Sequence, residues 1–239
     1  RYHVLTYKYL IMRKLFLLFI VLATAISCDK EAQEERMPQN YEEDITVYAL
    51  TDSVEIKPIT SVTNSDDFVS VIASGKYIKG FHRGSNVIKG VHDGDTYTYN
   101  VTVNAKHNLF IDIQNVIGES RLFVRDFFGR EPDDSSEEAM VYRFDDYGVL
   151  IGFDSEEAIL GYIEFRGSVN IATVTAYLME RFMPNHKMLS VPLTIYMDAL
   201  LPRDATILVS ASLTEHFIIY QSKEEFIKEN PEMWEKILF

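Results

Sequence analysis

Thr96-Tyr97-Thr98-Tyr99-Asn100-Val101-Thr102-Val103 alternates polar and apolar residues without a break. Successive side chains of a strand point to opposite faces, so Tyr97, Tyr99, Val101 and Val103 share one face and Thr96, Thr98, Asn100 and Thr102 the other. The pattern predicts a strand buried on one side only. Asp93-Gly94 stands just before it, and a type I′ turn needs positive φ at both central positions, a conformation Asp and Gly tolerate. Working outward, short period-2 runs over 45–50, 54–59, 68–73, 77–81 and 86–91 are separated by Gly, Asn and Asp. That spacing predicts an all-β sandwich over residues 44–106.

The residues of this stretch carry a resemblance. Val69-Ser70-Val71, then Gly75-Lys76-Tyr77-Ile78-Lys79-Gly80, then Gly84-Ser85-Asn86-Val87-Ile88 resembles the bacterial Ig-like group 2 domain, with its valine pair, glycine turn, strand ending in glycine and second glycine turn. The resemblance covers about 60 residues and implies an Ig-like sandwich.

From residue 107 the period changes. Residues 119–128 place Phe123, Val124, Phe127 and Phe128 on one helical stripe, with Gly129 as a stop. A second helix starts from an Asn170 cap and runs to Met183, with Val174, Tyr177, Leu178 and Phe182 facing inward and Pro184 ending it. Three strand-like runs follow each helix, over 140–144, 149–153 and 159–165, then over 193–197, 206–211 and 217–221. The expectation for 107–239 is therefore an α+β domain made of two αβββ units, one antiparallel sheet with the helices on one face. Ser222-Lys223-Glu224-Glu225 is a capping box for a last helix, and Asn230-Pro231 opens a final turn carrying Trp234, Ile237 and Leu238.

Residues 12–28 explain where such a chain would reside. Arg13 and Lys14 precede an apolar run over 15–23, and Ala25 and Ser27 lead to the single cysteine, Cys28. The run is shorter than the roughly 20 residues a spanning helix needs. Ala25-Ile26-Ser27-Cys28 resembles the lipobox of bacterial lipoproteins, which implies cleavage before Cys28 and its acylation; ordinary signal cleavage is the alternative. Residues 1–27 are thus read as upstream residues plus signal peptide. Residues 28–43 read as an acidic tether, since seven acids fall within 29–44. The acids after Cys28 also resemble the surface-export signal of some Gram-negative lipoproteins. The expected place is the cell envelope, most naturally the outer membrane.

Removing a leader with four bases and no acid takes the formal charge from −13 to −17, a surface that repels nucleic acid. With one cysteine no intramolecular disulfide is available, so the 47% of hydrophobic residues must hold the fold. No phosphate-cradling loop, nucleophile elbow or zinc-ligand pair is written in the sequence. His82, His92, His107, His186 and His216 are scattered singly; His92-Asp93-Gly94-Asp95 reads first as a turn and only second as calcium oxygens; and 131–138 concentrates five acids in one loop. Asp145 and Asp146 are adjacent and so point to opposite faces of a strand. The expectation is an envelope-anchored, non-catalytic binding or scaffold module, joined to the membrane through Cys28, for a protein or glycan partner, with no cofactor or metal. The alternative is an exported hydrolase whose groups, drawn from His186, His216, Glu164 and the 131–138 acids, converge only in the fold.

Overall fold

The computed structural model describes residues 36–167, 170–188, 193–212 and 214–238, with the backbone alone at 186–188. The tether before residue 36, the signal peptide and Cys28 lie outside the described residues. The protein is β-rich with a few short helices.

Seven strands occupy the first part: β1 Asn40–Tyr48, β2 Ser53–Glu55, β3 Thr60–Asn64, β4 Ser70–Ala73, β5 Tyr77–Gly80, β6 Gly84–His92 and β7 Asp95–Asn104. They form a four-stranded sheet in the order β1-β7-β6-β3 and a three-stranded sheet in the order β2-β5-β4. The alternation in β7 falls as the sequence dictates, with Tyr97, Tyr99, Val101 and Val103 all buried against Ile45, Val47, Ile78 and Ile88. At the β6–β7 turn Asp93 has φ 50° and Gly94 φ 85°, the two positive values a type I′ hairpin requires.

The strand limits differ from the sequence expectation in places with local causes. β1 starts at Asn40, inside the stretch read as tether, because its backbone pairs in parallel with β7 and Asn100 Nδ2 donates to Glu42 at 2.8 Å and Asp44 at 3.0 Å. The acids there are exposed but ordered by the ladder. The run expected over 54–59 shrinks to β2 because Pro58 has no N–H to give. β3 had no period-2 signal, being almost wholly exposed and bulged between Thr60 and Thr63.

The second part holds α1 Arg121–Phe128 and α2 Ile171–Met179, the strands β8 Asp134–Ser135, β9 Ala139–Arg143, β10 Tyr147–Asp154, β11 Glu157–Phe165, β12 Met183–Met188, β13 Leu193–Met197, β14 Ile207–Ser212 and β15 Phe217–Ser222, and the closing helices α3 Lys223–Glu229 and α4 Pro231–Leu238. One eight-stranded sheet results, in the order β12-β13-β14-β15-β11-β10-β9-β8. Each half is a helix followed by a meander of four strands, not three. The added strands are the two-residue β8 and β12, whose start at Met183 shortens the helix expected to run that far. The last strands of the two meanders, β11 and β15, pair antiparallel at the seam.

Across the sheet, Tyr142, Val149, Ile163, Ile218 and Ala211 fall in one row, and Met140, Ile151, Gly161, Tyr220, Val209 and Tyr196 in the next. Apart from Gly161, both rows belong to the cluster that also buries Val124 of α1 and Val174, Tyr177 and Leu178 of α2. Gly161 leaves room for a 3-10 turn over Ile113–Val116, since a Cβ there would stand 2.6 Å from Ile113 Cδ1. The opposite face is not bare. Ile195, Met197 and Leu208 bury Phe226 and Ile237, with Trp234 partly buried beside them, so α3 and α4 cover that face and the expectation of helices on one side only is corrected. Strand alternation is the reason: Ile195 and Met197 point away from Tyr196 and leave a second apolar strip to cover. Phe123 is also corrected. Val124 is the fully buried residue of α1, Phe127 and Phe128 flank it, and Phe123 is 40% exposed. Among the described residues no helix is long and apolar enough to cross a membrane.

Candidate functional site

The last turn of α2 places a charge pair where apolar neighbours would be expected. Asn170 caps the helix by accepting from the Thr173 N–H, and at the other end the Phe182 N–H donates to Leu178 at 2.8 Å, carrying the chain around a tight corner. This corner buries Glu180 and Arg181 at 3% and 4% exposure. Buried ions must be paired, and these are. Arg181 Nε donates to Asp112 Oδ2 at 3.1 Å, Nη1 to the Tyr177 carbonyl at 3.2 Å and Nη2 to Asn108 Oδ1 at 3.1 Å, with the guanidinium 3.8 Å from the centre of the Tyr177 ring. Glu180 accepts from the His107 backbone N–H at 3.0 Å and from His107 Nδ1 at 2.8 Å.

Arg83, from the turn that leads into β6, reaches the same carboxylate. Its Nη1 donates to Asp112 Oδ2 at 3.0 Å, and its backbone N–H donates to the Glu180 carbonyl at 2.7 Å. One Asp112 oxygen thus serves two guanidiniums, while the other accepts from the Gln114 N–H at 3.3 Å. These bonds tie the seven-stranded part to α2 through the 104–112 connection.

Beside the network is a cleft of about 290 Å³ lined by Phe68, Arg83, Gly84, Asp112, Gln114, Asn115, Arg181 and Asp198. Some of these groups are already committed. Asp198 accepts from the Thr206 hydroxyl and from the Thr206 and Ile207 N–H groups. Phe68 stacks flat on His82 at 4.0 Å, and His82 Nδ1 donates to the Phe68 carbonyl at 2.7 Å. Burial, opposed by that bond, lowers the His82 pKa below its ordinary value. Others are free: Arg83 spends one side-chain N–H on Asp112, and among the described residues the amide side chains of Gln114 and Asn115 have no hydrogen-bond partner.

The residues singled out from sequence are dispersed. His92 lies 3.5 Å from Asp93 in the hairpin turn, His107 belongs to the network, and His216 sits at a turn with φ 62°. The His186 side chain lies outside the described residues. In the 131–138 loop, the Arg143 N–H and then Arg130 hold the Asp133 carboxyl below the usual range, and Glu131 pairs with Arg125 at 3.4 Å. Glu164 is on β11, three strands from β8, about 14 Å across the sheet at normal strand spacing. Asp145 and Asp146 are exposed in the β9–β10 turn, and Trp234, on α4, is partly buried against the cluster of Ile195, Met197 and Leu208. Arg83, Asp112 and Arg181 were missed because 29 and 69 residues separate the pairs they form. The one local signal was Glu180-Arg181 embedded between Tyr177-Leu178-Met179 and Phe182-Met183.

No family model matches this chain, and no curated protein matches it. Among solved structures, a cysteine-rich secretory protein from Staphylococcus aureus subsp. aureus Mu50 aligns over 47% of this chain and 46% of its own, at 12% identity and a TM-score of 0.29. The chain spans about half the length of that protein. At so low a score the likeness carries no argument about fold or function.

Proposed function

We propose that the chain is an envelope-anchored, non-catalytic binding lipoprotein, held by acylated Cys28, that presents an Ig-like module over 44–106 and an α+β module over 107–239 to a protein or glycan partner. The observation that carries this reading is the cleft where the two parts meet. Its strong ions are committed to one another, a state suited to holding shape, whereas Arg83, Gln114 and Asn115 keep unspent hydrogen-bonding groups at its wall. The Ig-like reading is supported by seven strands divided four and three around one core, the division of a constant-type immunoglobulin sandwich.

Two measurements test it. Labelled palmitate should enter the wild type and not Cys28→Ala; equal labelling ends the anchor. The chain from residue 28, carrying Cys28→Ala, should retain a component of envelope extracts or a glycan array. Loss of that retention in Arg83→Ala/Asn115→Ala assigns it to the cleft, and retention unchanged by the double substitution removes the cleft from the function.

A further inference from the structure

We propose that the cleft holds one neutral sugar ring, bound through Arg83, Gln114 and Asn115 against Phe68; this rests on the binding-module reading above and names its ligand class. Size sets the first limit. About 290 Å³ is at the small end of ligand sites, which run from roughly 300 to 1,000 Å³, and suits a single ring better than a peptide segment.

Charge sets the second. Arg83 and Arg181 face Asp112 and Asp198, and Glu180 lies 3.9 Å from Arg181, so the fixed charges at the cleft include no cationic excess. The chain as a whole is at −13, and its long-range field also opposes an anion. A cation fares no better, because Asp112 and Asp198 already accept from two guanidiniums, a hydroxyl and three backbone N–H groups. What the cleft does offer is planar, uncommitted hydrogen-bonding groups. Arg83 has four side-chain N–H donors left, arranged in a fixed fork. Gln114 and Asn115 each present an amide able to donate and accept at once. Adjacent hydroxyls that donate and accept in the same plane match this set, and both properties belong to a sugar. Phe68, held flat by His82, adds an apolar wall for the C–H face of the ring. Arg181 is a positioning residue: three hydrogen bonds fix its guanidinium, one of them to Asp112, and Asp112 in turn holds Arg83.

The test is calorimetric titration of the chain from residue 28, carrying Cys28→Ala, with D-glucose, D-galactose, D-mannose and N-acetyl-D-glucosamine, and with D-glucuronate as the anionic probe. At least one neutral sugar should bind saturably with a Kd of about 0.1–10 mM, with little change between low and high salt. Gln114→Ala/Asn115→Ala should weaken it about tenfold or more at unchanged Tm, since neither side chain bonds within the protein, and Arg83→Lys should weaken it while keeping the charge. The matching disaccharide separates two sources of the same chemistry: tighter binding than the monosaccharide indicates the end of a glycan, and equal binding a free sugar. The proposal is overturned if no neutral sugar binds, if D-glucuronate binds more tightly and loses affinity with salt, or if the double substitution leaves the affinity unchanged. Any of these alongside specific retention of an envelope component removes the ligand class and leaves the binding-module reading standing; failure of that retention is read separately.

Discussion

Replacing Arg181 by Met tests whether the buried network holds the two parts together. Methionine preserves the aliphatic length over Tyr177 and removes three hydrogen bonds made by a charged group that is almost wholly buried. Bonds to charged groups contribute about 1.5–3 kcal/mol each, and breaking a buried pair by deleting one partner costs about 3–5 kcal/mol. Two features reduce the loss: Asp112 keeps Arg83, and Glu180 keeps His107. The expected cost is therefore about 3 kcal/mol, at the low end. For a chain of this size that corresponds to a Tm fall of about 6–12 °C. Urea denaturation read by circular dichroism measures the free energy, and Arg181→Lys is the control. A lysine keeps the charge but cannot donate in three fixed directions, so it should recover less than half of the loss. A cost below about 1 kcal/mol for Arg181→Met, or full recovery by lysine, would refute the claim that geometry rather than charge alone makes the joint.

Three further outcomes follow from the packing. Gly80→Ala places a Cβ 2.8 Å from Val103 Cγ1 and 2.9 Å from Val47 Cγ2, and should cost about 1–3 kcal/mol in chemical denaturation, a neutral result contradicting the close approach. Val124→Ala should destabilise by about 2 kcal/mol while Phe123→Ala, at a 40% exposed residue, stays within about 0.5–1 kcal/mol; the reverse order would restore the stripe expected from sequence. His82, whose folded pKa lies below its unfolded value through burial, favours the unfolded state as it takes up a proton. Stability should therefore be full above about pH 7 and fall as pH drops below about 6.5, the usual histidine value. In His82→Phe that part of the slope should disappear, and an unchanged pH profile would show that another group is responsible.

Local pattern revealed what depends on near neighbours. The β7 alternation, the Asp93-Gly94 turn, the Ser222 cap and the inner face of α2 each lie within a few residues, and each stands where the spacing puts it. Elements decided by a distant partner were illegible. Asn40 to Asp44 look like solvent-loving tether until β7 supplies a ladder more than fifty residues away. Phe123 scores as buried on a helical wheel, yet which part of an apolar stripe faces inward depends on where the sheet lies. The cleft is the extreme case, because its charged members Arg83, Asp112, Arg181 and Asp198 lie in four separate segments and no short window along the chain contains them together.

The parallel pairing of β1 with β7 has a consequence for a chain that is made from its N-terminal end. β1 emerges first and finds its ladder partner only when β7 has followed, with 46 intervening residues. β6 and β7 meet across a two-residue turn and can zip within microseconds, whereas β1 must wait for its loop to close. Until then Ile45 and Val47 have no cover and the open edge of β7 can accept a foreign strand. The interval between the emergence of Asn40 and that of Asn104 during synthesis is thus the period of greatest vulnerability to aggregation, and the acids Glu42, Glu43 and Asp44, set within the waiting strand, suit it to resist mispairing during that interval.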